Sequence, residues 1–125
     1  MRLLLDERIL GDGHHARSWA SRDGERVRVE DDDGTCGALS VAAIDRVMVR
    51  YGQPLADDIV LDGDALELGD GRRLRRLRHH APVDATGRDY LVWERPGEAP
   101  LAVIAAHATA ALRYLVLRLG AERES

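Results

Sequence analysis

The chain has 125 residues, with 22 acidic and 18 basic side chains and a formal charge of −4. That length suits one domain over residues 1–125, and an apolar content of 45% argues against global disorder. The mildly acidic balance disfavours a general nucleic-acid binder, and the lone cysteine, Cys36, excludes an internal disulfide and any multi-cysteine zinc site.

A single thiol points to a reducing, cytoplasmic compartment. The opening MRLLLDERIL places Asp6 and Glu7 where the apolar core of a secretory leader would continue. All eighteen basic residues are arginine, and the charge is unevenly spread. Met1–Asp70 holds sixteen acids and eight arginines, whereas Gly71–Ser125 holds ten arginines and six acids.

In chain order, Arg2–Leu5 reads as an opening strand interrupted by Asp6-Glu7-Arg8, with Ile9-Leu10 as its continuation. Gly11-Asp12-Gly13 turns the chain into a short strand at His14–Ser21. Asp23-Gly24 is a hairpin signal. Glu25–Glu30 then alternates, with Val27 and Val29 inward and Arg26, Arg28 and Glu30 outward. Asp31-Asp32-Asp33-Gly34 is a solvated loop. Its spacing fails as a calcium loop, because the twelfth position is Ala42 rather than an acid. A short strand at Thr35–Leu39 comes next.

Ser40 is a good N-cap for a helix to Tyr51, with Val41, Ile44, Val47, Met48 and Tyr51 at helical spacing. Gly52 closes it and Pro54 prevents its continuation. A strand at Arg46–Tyr51 is the competing reading, because β-branched residues weaken the helix. Asp57–Arg78 reads as a meander, with strands at Ile59–Leu61 and Ala65–Leu68 and a third segment at Arg72–His80. In that segment Leu74 and Leu77 are three apart, which suits a helix. The flanking glycine turns suit a strand, with a bulge to reconcile the spacing.

The longest apolar run is Pro100–Leu119. One reading makes it a single helix, with a core face at Leu101, Ile104, Ala105, Ala108, Leu112, Leu115, Val116 and Leu119. In that reading a second apolar strip contains Val103, Ala106, Ala110, Tyr114 and Leu117. The favoured reading places a strand at Asp89–Glu94, a Pro96-Gly97 turn, a returning strand at Leu101–Ala105 and a helix from about Ala106. His107 and Arg113 interrupt the run, which argues against a membrane span. A helix apolar on two sides needs cover on both, so a homodimer with Tyr114 or Leu117 near the contact is expected.

Three constellations could carry function. Arg72, Arg73, Arg75, Arg76 and Arg78, followed by His79-His80, could grip phosphates or an acidic partner. Asp57, Asp58, Asp62, Asp64, Glu67 and Asp70 lie across one turn, so internal compensation of that charge is expected. The candidate binding residues are therefore Arg73, Arg75, Arg76 and Arg78, together with Tyr114 and Leu117. His107 is expected to be a buried, hydrogen-bonded structural group. Its catalytic alternative is a general base oriented by Asp89 or Glu94. His14-His15, His79-His80 and His107 have no metal-site spacing. No cofactor is expected, and no nucleophile elbow, phosphate loop or metalloprotease motif is present.

The expected fold is α+β: a small antiparallel β-sheet with one intermediate helix and a C-terminal helix packed against it. The expected function is a small, non-catalytic accessory or regulatory protein that works through protein–protein association. A His107 enzyme and an anion or nucleic-acid binder are the alternatives.

Overall fold

The computed structural model describes all residues except 1, 56–58, 78–87 and 125, and for 119–124 it describes the backbone alone. The chain is α+β, with two antiparallel sheets in place of the single sheet expected. β1 (Arg2–Ile9), β2 (His15–Asp23), β3 (Arg26–Asp31) and β4 (Cys36–Ser40) form a meander in sequence order. The helix α1 (Val41–Tyr51) comes directly after β4. β5 (Gln53–Pro54), β6 (Ala65–Glu67), β7 (Arg73–Leu77), β8 (Tyr90–Glu94) and β9 (Leu101–Ile104) make the second sheet, in the order β5-β9-β8-β7-β6. The helix α2 (Ala105–Glu124) completes the described chain.

The first hairpins obey the alternation of their residues. Val27 and Val29 are buried, and they pair with Leu39 and Gly37 of β4. Asp6-Glu7-Arg8 does not interrupt β1. The strand absorbs this segment through a bulge at Leu5: Leu4 pairs with Trp19, and the next pair is Asp6 with Ser18. Ser40 caps α1 by accepting from the Ala43 N–H at 3.1 Å. The Gly52 N–H closes the helix on the Met48 carbonyl at 2.8 Å. The strand alternative for Arg46–Tyr51 is thereby excluded.

β7 is a regular strand without a bulge, paired residue for residue with β6 and β8. The spacing of Leu74 and Leu77 has a simple cause. Residues three apart on a strand face opposite ways, and the outer face, exposed at Arg73, is covered at Leu77. Leu74 joins the main core, while Leu77 packs with Val92, Ala102, Leu55, Leu61 and Tyr90 in a second cluster. Residues Ile59–Leu61 form no strand.

The Tyr90–Glu94 and Leu101–Ile104 hairpin forms as the favoured reading of the apolar run requires, and α2 starts at Ala105. α2 packs against β1, β3 and β4 of the first sheet and against β8 and β9 of the second, with α1 beside it. Ala105, Ala108, Leu112 and Val116 supply its buried side. The main core joins Leu3, Leu5 and Val29 of one sheet to Leu91, Trp93 and Val103 of the other. Among the described residues no helix is long and apolar enough to cross a membrane.

Candidate association face and a neighbouring polar depression

Because the sheets cover α2 on one side only, its second apolar strip remains outside. Ala106, Ala110, Tyr114 and Leu117 are exposed, Tyr114 by 62% and Leu117 by 55%. Val103, the first member of that strip, is instead buried in β9. α1 runs beside α2, and the two helices flank a groove of about 780 Å³. Val47, Ala110, Ala111 and Leu115 give it apolar walls, and Tyr51 and Tyr114 add aromatic ones. Arg46, Arg50, Arg118 and His107 also line it, and no carboxylate is among its described lining residues.

Arg46 and Arg50 are one helical turn apart on α1, so they share a side of that helix. Neither forms an ion pair among the described residues. Arg50 lies over the Tyr51 ring at 5.5 Å. The sequence reading missed this pair. Its legible signal was Arg46 and Arg50 four apart on a helix that ends in an aromatic residue.

His107 is not the buried structural group expected. It stands exposed in the first turn of α2, and its ring makes no hydrogen bond among the described residues. The expectation placed it inside an enclosed helix, whereas the sheets leave that side of α2 open. His107 also lines a second, smaller depression of about 360 Å³ with Asp6, Arg88, Asp89, Ile104, Ala105 and Ala106. Of its two suggested acid partners, Asp89 shares that depression, and its carboxylate pairs with Arg76. Glu94 lies at the other end of β8 and pairs with Arg75 at 3.0 Å. No Ser or Cys lines the depression.

The arginine strip does not form one surface. On β7, Arg73 and Arg75 point to the outer face of the sheet. Arg76 shares the inner face with Leu91 and Val103, its neighbours in register. Arg72 pairs with Asp70 at 3.4 Å and Arg73 with Glu67 at 3.2 Å. Arg75 and Arg76 find their carboxylates on the following strand and its approach, at Glu94 and Asp89. Compensation therefore comes as much from β8 as from the acidic segment upstream. Arg78, His79, His80, Asp57 and Asp58 lie outside the described residues.

Cys36 is an exposed free thiol and receives an Arg28 N–H at 3.2 Å. His14 bonds Asp12, and His15 bonds Glu7. No cluster of three metal-ligating side chains occurs among the described residues. The chain matches no family model, no curated protein and no solved structure.

Proposed function

We propose that the chain is a non-catalytic association module of the cytoplasm, whose α1–α2 groove receives an acidic amphipathic segment of a partner protein. One observation carries this reading: apolar and aromatic walls flanked by Arg46 and Arg50, with no carboxylate among the described lining residues. Amphipathic helices dock into such grooves by their apolar face, and flanking charges select their sign. The exposed Cys36 thiol fits the reducing setting of that compartment.

A homodimer through Tyr114 and Leu117 is the second reading, supported by their exposure on α2. Its weakness is electrostatic. An isologous contact centred on the groove would bring Arg46 and Arg50 of each copy towards those of the other.

The test is a titration with two model helical peptides of identical leucine pattern, one bearing glutamates and the other lysines. The acidic peptide should bind the wild type, more weakly as salt rises, and the double variant R46E/R50E should reverse the preference. Equal binding of both peptides, or indifference to the charge reversal, would overturn the reading. Light scattering on the free protein separates the alternative. A dimer at micromolar concentration that is dissociated by Leu117→Arg, with the fold intact, would assign the face to a second copy.

A further inference from the structure

The bulge at Leu5 has a chemical result beside the groove. Alternation along β1 turns Leu3 and Leu5 inward, and an uninterrupted strand would turn Asp6 outward. The extra residue resets the register, so Leu5 and Asp6 are both buried, Asp6 to 9% exposure. Its carboxylate oxygens are not among the buried side-chain atoms, so they stay open to the depression that Asp6 lines. Among the described residues, no ion pair and no hydrogen bond reaches the Asp6 side chain.

The contrast with Asp31 is direct. Ser18 pairs with Asp6 on one side and with Asp31 on the other. The Asp31 carboxylate accepts from Ser18 Oγ and from Arg113 Nε, each at 2.6 Å. The fold supplies partners to one inward-facing carboxylate of this row and none, among the described residues, to its neighbour.

Asp6 lines the 360 Å³ depression where α2 begins. α2 starts immediately after Ile104, so no Ser, Thr, Asp or Asn caps it. The Ala105 N–H is taken by the Asp89 carbonyl at 2.9 Å. The next two N–H groups, of Ala106 and His107, have no intrahelical partner by geometry, and they carry the positive end of the helix dipole. The exposed side chains of Arg88 and His107 stand at the same depression. One part of it therefore suits a cation and another suits an anion.

We infer that this depression binds a small zwitterion of the free amino-acid kind, with its ammonium on Asp6 and its carboxylate towards the N-terminus of α2, Arg88 and His107. A simple anion would meet the unpaired Asp6 carboxylate. A simple amine would leave the helix terminus and Arg88 unused. The volume is at the lower end of the roughly 300–1,000 Å³ typical of small-molecule sites, which suits a ligand of this size. This inference is independent of the groove and its partner.

The test is a titration of the full ¹⁵N-labelled chain, followed by NMR, with a panel of the common L-amino acids and with ethylamine and acetate as half-ligands. At least one amino acid should saturate in the millimolar range or below, with shifts centred on the amides of Asp6, Asp89 and Ala105–His107. Each half-ligand should bind at least tenfold more weakly, and Asp6→Asn should lose tenfold or more while its spectrum remains that of a folded chain. Should Asp6→Asn not fold, the double variant R88A/H107A removes two exposed groups and is expected to lose severalfold. Absence of any saturating amino acid would overturn the inference. So would acetate or ethylamine binding as tightly as the amino acids, or affinity unchanged in the variants.

Discussion

At the scale of single residues, the polar groups under α2 decide more than the apolar ones. Arg113 interrupts the apolar run because its guanidinium reaches Asp31, whose side chain is only 5% exposed. Removing one partner of a buried pair leaves the other charge uncompensated. Arg113→Ala is expected to lower stability by on the order of 3 kcal/mol, moderated by the Ser18 hydroxyl that stays on Asp31. Urea denaturation measures this, and a loss no larger than that of an exposed substitution would show that water replaces the pair. Glu7 offers a pH test. The His15 hydrogen bond, with Arg17 beside it, holds the Glu7 carboxyl below its ordinary value of 4.5. A depressed folded pKa stabilises fully above the unfolded value, and that stabilisation is lost as pH falls through the folded value. Glu7→Gln should therefore be less stable than the wild type near neutral pH, with the difference closing as acid protonates Glu7. A difference that stays constant down the acid limb would remove Glu7 from the titration. The group is solvent-exposed, so the effect is small.

Among the elements, the bulged β1 and the regular β7 meet through Arg76. Its guanidinium donates to the Leu5 carbonyl at 2.8 Å and pairs with Asp89. The bulge disturbs the ladder at Leu5, and an arginine from the other sheet satisfies the carbonyl found there. Arg76→Met would keep much of the packing while leaving the Leu5 carbonyl and Asp89 without that donor. It is expected to destabilise by roughly 3 kcal/mol, whereas Arg73→Ala, on the exposed outer face, should change stability by less than about 1 kcal/mol. Equal effects of the two substitutions would refute the split of the strip into inner and outer faces. α1 has its own check in its ends. Ser40→Ala should cost about 1 kcal/mol through the lost cap. At Gly52 an added Cβ would lie 2.3 Å from the Met48 carbonyl oxygen and 2.9 Å from the Leu101 Cβ. That glycine is demanded by close approach and not by a left-handed backbone, since its φ is −79°.

At the scale of the molecule, the main core joins both sheets through α2, so the inner face of neither sheet stays covered if the other opens. Unfolding should be a single cooperative transition. The two tryptophans allow this to be measured, because Trp19 lies in the first sheet and Trp93 in the second. Trp19→Phe leaves Trp93 as the fluorescent reporter. Its denaturation midpoint should coincide with that from far-ultraviolet circular dichroism of the same variant. Separated midpoints would show two units joined by a weak interface. The same architecture explains the exposed apolar strip of α2. α1 and the two sheets surround α2 incompletely, and among the described residues Tyr114 and Leu117 are the large apolar side chains of α2 left in water.

Local chemistry was enough to identify several elements from the chain alone. The Ser40 cap, the alternation of Val27 with Val29, the Pro96-Gly97 turn and the α+β class are all short-range properties, set by neighbours within a few residues. The second apolar strip of α2 was legible for the same reason, since helical periodicity is local. The number of sheets, the inward aim of Asp6, the opposite faces of Leu74 and Leu77, and the partners of Arg75, Arg76 and Arg113 were decided only in three dimensions. Each depends on strand register or on packing between elements distant in sequence. A one-residue bulge at Leu5 reverses the facing of the strand residues beyond it, and nothing in LLLDER marks where that extra residue falls. His107 shows the same dependence. Its exposure is set by which side of α2 the sheets cover, and an apolar run by itself does not say which side remains open.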